Sequence, residues 1–141
     1  MIDFNGHAKL ADFGLCKINL TKQDLTTSYC GSIEYMAPEI KDNSGYNYSV
    51  DFYTLGAFLY EMVMGVPPYY NNQPLFFNEE ISSAYKSLVI GLIENDVAQR
   101  INNFTTIKSS KWLSNVKWDD IMRGKKKMPL KVLPYETYVH D

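Results

Sequence analysis

The segment from Val50 to Met64 constrains this chain most, because apolar residues lie on almost every face of the helix that it would form. Ser49 stands where a helix N-cap belongs, and Gly65 followed by two prolines ends the pattern. A helix that is apolar around its whole circumference has to be covered by other structure. We therefore predict a central helix over 50–64 whose cover the remaining residues must supply.

A second helix is predicted from about Ser82 to Ile93, where apolar residues recur at intervals of three and four. They form one stripe, made of Ala84, Tyr85, Leu88, Val89, Leu92 and Ile93. A single stripe cannot cover every face of the first helix, so part of that helix should remain as an exposed apolar patch. The large side chains in question are Phe52, Leu55, Phe58, Leu59 and Met62. A third, short helix is predicted near Trp118.

The first ten residues alternate between apolar and polar around Asn5-Gly6. Asn-Gly supplies the positive φ angles of a two-residue hairpin turn, so 2–4 and 7–10 are predicted to pair as strands. Residues 15–35 are polar and lack periodicity, which predicts a long loop. Loops of that length inside a compact domain are usually functional or disordered.

Composition excludes several classes of protein. With 45% hydrophobic and 21% charged residues the chain is typical of a globular domain, and its net charge of −2 argues against a nucleic-acid partner. The longest apolar stretch is too short to span a membrane, and no signal-peptide pattern occurs. Two cysteines without metal-ligand spacing favour reduced thiols. We expect an intracellular protein, cytoplasmic or nuclear.

Two short motifs bracket the polar loop. Asp12-Phe13-Gly14 follows the predicted hairpin, and Ala37-Pro38-Glu39 closes the loop. Between them, residues 28–36 read SYCGSIEYM, similar to a Thr-Phe-Cys-Gly-Thr-Pro-Glu-Tyr signature, and 49–56 read SVDFYTLG. In this order the segments resemble the C-terminal part of a Ser/Thr protein kinase domain of the AGC group.

The resemblance implies an α+β, mostly helical fold, namely an incomplete kinase C-lobe with no N-lobe. Residues 1–127 would form the partial kinase domain: a β-hairpin over 1–11, the activation segment over 12–39 and a helical part over 40–127. Residues 128–141 would begin the C-terminal tail found in AGC kinases.

The resemblance also implies roles for acidic residues. Asp12 occupies the position of the aspartate that coordinates the Mg²⁺ bridging the phosphates of ATP. Its alternative is an ordinary aspartate in the turn after a strand. Asp51 matches an aspartate that holds the backbone of the catalytic loop, or is simply a first-turn residue favoured by the helix dipole. Glu39 and Arg100 match a buried ion pair that fixes the activation segment; an exposed Arg100 is the alternative.

Within the loop, Ser28 matches a phosphorylation site, with Thr26 and Thr27 as alternative acceptors. The four residues that follow Cys30 resemble the loop that reads the substrate beside its target hydroxyl: Gly31, Ser32, Ile33 and Glu34. Ile33 stands where the family usually has proline.

Other kinase elements are absent from these 141 residues: a Gly-rich loop, a nucleotide lysine, and the Asp and Asn of the catalytic loop. Pro74 also leads almost directly into Phe76, where the family has a surface helix. We interpret the chain as a fragment of an ATP-dependent Ser/Thr kinase, with no catalytic residue of its own and without activity in isolation. The cofactors of the family are ATP and Mg²⁺, and we expect the isolated chain to bind them no more than weakly. The alternatives are a pseudokinase-like interaction module or one half of a split kinase. Expected partners are protein substrates or an upstream activating kinase.

Overall fold

The computed structural model describes residues 1–3, 5–21, 23–69 and 74–125. The described residues divide into two compact units, one formed by residues 1–14 with those from 116 onward and the other by those within 15–115. The regular secondary structure of the described residues is helical, with two isolated antiparallel bridges as their β-structure. The predicted C-terminal tail, 128–141, lies outside the described residues.

The first unit contains the N-terminal turn and a short helix. Ile2 and Ala8 form an antiparallel bridge, and the Asp3 amide donates to the His7 carbonyl at 2.9 Å. Asp3 therefore lies opposite His7, and the prediction of a two-residue turn is wrong by one position. The reason is local, since Gly6 takes a φ of 81° and the Asp3 carboxylate accepts the His7 N–H at 2.9 Å. Helix α5, Trp118–Met122, lies in this unit at the position expected for the third helix.

The second unit is built around helix α2, Ser49–Met64, which confirms the central helix. Gly65 ends it with a φ of 77° and a 2.7 Å hydrogen bond to the Glu61 carbonyl. The predicted Ser49 cap is wrong, because Ser49 is itself the first helical residue and Tyr48 is the cap. The Asn47 side chain accepts the Ser49 N–H at 2.9 Å and so takes over the capping of the first turn.

Helix α3, Ser83–Leu92, packs against α2 and also confirms its prediction. Ser82 caps it through a 3.3 Å hydrogen bond from the Tyr85 amide. The end of α3 lies close to α2 at Gly56, where a Cβ would lie 2.6 Å from Leu92 Cβ and 2.8 Å from Ile93 Cγ2. Glycine at this position allows the close packing of the two helix backbones.

The described residues of the second unit also form three shorter elements: α1, Pro38–Lys41; α4, Phe104–Lys108; and a 3₁₀ turn, Lys111–Leu113. Two clusters of buried side chains form its core. One joins α1, α2 and α3 through Ile40, Tyr53 and Val89. The other joins α2, α3 and α4 through Phe52, Leu92 and Ile107.

The described part of the 15–35 loop contains no helix, and its one bridge joins Thr26 to Tyr46. Residues 74–77 are likewise not helical. Over the described ranges, no helix is both long and apolar enough to cross a membrane.

Candidate functional site

Arg100 lies in the core of the second unit and binds Glu39, which precedes it by 61 residues. The guanidinium donates two hydrogen bonds to the carboxylate, of 2.5 and 2.9 Å. The Arg100 side chain is fully buried and that of Glu39 keeps 9% of its surface exposed. Arg100 Nε also donates to the Glu94 carbonyl at 2.8 Å. Two parallel charge-assisted bonds with further donors satisfied are the arrangement that makes a buried ion pair tolerable.

Two neighbours position this pair. Pro38 stands in the first turn of α1, where a missing N–H costs no helical hydrogen bond, and Glu39 follows it directly. The Tyr53 ring lies against the guanidinium, with Cζ of Arg100 5.1 Å from the ring centroid. Burial raises the pKa of the Tyr53 hydroxyl to about 12. The structure thus brings Glu39 and Arg100 together, and the Tyr53 ring of α2 packs against the Arg100 guanidinium.

Residues 26–30 of the loop are held by Tyr46. Thr26 and Tyr46 exchange two backbone hydrogen bonds of 2.9 Å each. The Tyr46 hydroxyl donates to the Ser28 carbonyl at 2.6 Å, and Cys30 Sγ lies 4.0 Å from the same hydroxyl oxygen. Burial is the main cause of the raised pKa of Tyr46. The predicted phosphorylation site is therefore tied to the connection between α1 and α2.

The predicted substrate-reading residues, 31–34, form an exposed turn. Gly31 has a φ of 105°, and the Tyr35 amide closes the turn on the Ser32 carbonyl at 3.1 Å. The Tyr35 hydroxyl then donates to the Glu61 carboxylate on α2, and this bond is the main cause of the raised pKa of Tyr35. Ile33 points a 55% exposed apolar side chain outward from the turn.

Asp51 lies in the first turn of α2. Desolvation by neighbouring atoms raises the pKa of its carboxyl, although the residue as a whole remains exposed. Its position agrees with both interpretations of this residue, an anchor for another segment and a first-turn aspartate.

Asp12, Phe13 and Gly14 belong to the first unit. Asp12 is exposed and has a φ of 64°, a left-handed conformation that is uncommon outside glycine and is tolerated best by Asp and Asn. Phe13 is also exposed, at 64%. Over the described residues, no group of three or more His, Cys, Asp or Glu side chains could hold a metal ion.

Sequence reasoning missed Tyr46 and Tyr53 as parts of this site, and the Tyr35–Glu61 hydrogen bond with them. The only signal was the abundance of tyrosine, 11 in 141 residues. Their partners are 16 to 47 residues away along the chain, so no local pattern could have indicated the contacts.

Residues 1–113 match the protein kinase domain family. Serine/threonine-protein kinase YPK2/YKR2 of Saccharomyces cerevisiae is 38% identical, over 86% of this chain and 20% of the yeast protein. Serine/threonine-protein kinase Sgk1 is 37% identical in both Xenopus tropicalis and Homo sapiens, over 89% of this chain and 33% and 32% of those proteins.

This chain therefore belongs to the protein kinase domain family, within the AGC group of Ser/Thr kinases. It spans a third or less of the length of these relatives. In the part of the chain that the structure describes, the helices with almost no strand are those of part of a kinase C-lobe and confirm the predicted fold class.

Proposed function

We propose that this chain is part of an intracellular Ser/Thr protein kinase that transfers the γ-phosphoryl group of ATP to protein hydroxyls, and that it does not catalyse this transfer alone. The observation that carries the proposal is the buried Glu39–Arg100 pair at the end of the activation segment. In a protein kinase the activation segment forms part of the substrate site, so an ion pair that fixes this segment to the helical core would keep the substrate site in place.

The chemistry of phosphoryl transfer indicates which catalytic groups these 141 residues contain and which they lack. Phosphoryl transfer depends on positioning and on neutralising charge, which in this family involve a nucleotide lysine, two Mg²⁺ ligands and a catalytic aspartate. These 141 residues supply one of those groups, Asp12. A single exposed carboxylate suits an Mg²⁺ ion that takes its other ligands from phosphates, water and a second protein segment. Bound ATP and Mg²⁺ would supply the phosphoryl group and its charge neutralisation.

The remaining residues divide between regulation and substrate contact. Ser28 would accept the regulatory phosphate, and the turn formed by Gly31, Ser32, Ile33 and Glu34 would contact the protein substrate. Asp51 would bind the backbone of the catalytic loop. Residues 1–127 would form the kinase-derived part and 128–141 the beginning of the tail.

The test compares two proteins incubated with labelled ATP, Mg²⁺ and a Ser/Thr peptide. The isolated chain should transfer no more phosphate than a heat-killed control. A chimera in which the preceding part of the kinase domain comes from human Sgk1 should be active, because it restores the missing groups.

In the chimera, Asp12→Ala should abolish transfer and Ser28→Ala should reduce it, whereas Asp24→Ala, an exposed carboxylate of the same loop, should change little. An inactive chimera that is folded would contradict the kinase proposal and favour the interaction module. Transfer by the isolated chain that Asp12→Ala removes would contradict its inactivity.

A further inference from the structure

The side chains of residues 26–30 alternate between two environments. Thr26, Ser28 and Cys30 are partly buried, whereas Thr27 and Tyr29 are exposed. A period of two is the pattern of an extended strand, in which successive side chains point to opposite sides. The segment therefore turns one side to the protein, and Ser28 is on that side.

Tyr46 fixes this orientation. Its backbone forms both bonds of the bridge with Thr26, and its hydroxyl holds the Ser28 carbonyl two residues later. The residue is 8% exposed and belongs to the core cluster that includes Val50 and Tyr53, so the anchor is itself rigidly packed. Tyr46 thus holds this segment by hydrogen bonds to the backbone of Thr26 and Ser28, which do not depend on the side chains of these two residues.

We propose that Tyr46 is a clamp that controls modification of Ser28: while it is engaged, Thr27 is the accessible hydroxyl, and Ser28 becomes an acceptor only when Tyr46 releases it. The inference rests on the proposed function, in which Ser28 accepts the regulatory phosphate. Phosphorylation requires Ser28 Oγ to bond to the γ-phosphorus of ATP as the bond to ADP breaks, with the hydroxyl proton passing to the modifying kinase's catalytic aspartate. That aspartate must approach the hydroxyl to within about 3 Å, which a side chain turned towards its own protein obstructs.

Cys30 provides a reporter for the clamp in the purified 141-residue chain, because it lies on the same side as Ser28 and beside the Tyr46 hydroxyl. The rate of its alkylation by iodoacetamide is followed by mass spectrometry, with the exposed Cys16 as an internal reference. Tyr46→Phe removes only the hydroxyl. It should raise the Cys30 rate about fivefold, the change expected for one net hydrogen bond, and leave Cys16 unchanged.

The matched control is Tyr85→Phe, which removes a 2.6 Å hydrogen bond from another buried tyrosine hydroxyl to the Leu59 carbonyl. It should leave the Cys30 rate unchanged. Equal Cys30 rates in wild type and Tyr46→Phe would overturn the clamp, and so would an equal rise in both variants, since that would report general loosening. If Tyr46→Phe does not fold by circular dichroism, Thr26→Pro removes one bridge hydrogen bond and is judged by the same criteria.

A second measurement separates the clamp from the Ser28 assignment. The same variants are incubated with ATP and a purified Ser/Thr kinase of broad specificity, and the phosphorylated residues are mapped. Tyr46→Phe should raise the ratio of phosphate on Ser28 to phosphate on Thr27. Faster Cys30 labelling with no phosphate on Ser28 in any variant would contradict Ser28 as the acceptor while supporting the clamp.

Discussion

The two faces of helix α2 both carry apolar side chains, but one face is buried and the other is exposed. The inner face carries Tyr53, Gly56 and Tyr60, all buried against α1, α3 and the loop that follows α2. The outer face carries Phe58 and Met62, which are 52% and 66% exposed. Both faces are apolar, so hydrophobicity alone does not distinguish them.

The difference lies in what the inner face has besides apolar area. The Tyr53 ring supports Arg100, and the Tyr60 hydroxyl donates to the Phe76 carbonyl at 2.7 Å. Gly56 admits α3 to close contact. Shape and hydrogen bonding therefore specify the inner face. The outer face has equally large apolar side chains, but the described residues leave them exposed. A single helix thus has one face that stabilises this chain and one that exposes apolar surface to association.

The strongest test of the inner face is Arg100→Met, which removes the guanidinium but keeps an apolar chain of similar length. We expect a loss of about 3–5 kcal/mol in the free energy of unfolding, because Glu39 is left buried without its counter-charge. Since domains are stable by only about 5–15 kcal/mol, the variant should be largely unfolded or have a much lower urea midpoint.

The double variant Arg100→Met/Glu39→Leu should recover part of that loss, since it leaves no unpaired charge. Lys9→Met is the control for an exposed ion pair: Lys9 lies 3.0 Å from Asp3 with 65% of its side chain exposed, so its loss should cost at most about 1 kcal/mol. Similar losses in Arg100→Met and Lys9→Met would show that the buried pair has no special importance.

A smaller effect is expected from Gly56→Ala. The new methyl group would lie 2.6 Å from Leu92 Cβ and 3.2 Å from the Ile93 backbone nitrogen, so the helices must separate. Overpacking costs about 1–3 kcal/mol, against a gain of about 1 kcal/mol in helix propensity. Urea unfolding should therefore show a net loss of up to about 2 kcal/mol. Ser87→Ala on the exposed side of α3 should not destabilise, and a stabilised Gly56→Ala would disprove the close approach.

The smallest effect on stability should come from the outer face. Phe58→Lys should change the free energy of unfolding by no more than about 0.5 kcal/mol, as surface substitutions usually do. It should also reduce aggregation and the binding of a hydrophobic dye. The same substitution six residues earlier, Phe52→Lys, should unfold the chain, because Phe52 is 8% exposed and packs with Leu88, Leu92 and Ile107. Equal destabilisation by the two variants would mean that the outer face is packed as well.

The sequence was sufficient for the elements whose signals are local. The three-and-four spacing from Ala84 to Ile93 predicted α3, and Gly65 correctly ended α2 because a left-handed residue there is almost always glycine. It misplaced the N-terminal turn and the α2 cap, since one hydrogen bond to a neighbouring side chain decided each. The His7 N–H donates to the Asp3 carboxylate, and the Ser49 N–H donates to the Asn47 side chain.

By itself the sequence indicated the family and the order of the motifs along the activation segment, and it predicted that Glu39 pairs with Arg100. These conclusions follow from residue types at fixed places in a motif. Only the tertiary structure decided which face of α2 is covered and that Tyr46 holds the Ser28 segment. Both depend on contacts between residues far apart in the chain. An apolar or aromatic side chain specifies that it should be buried, but not the partner against which it will be buried.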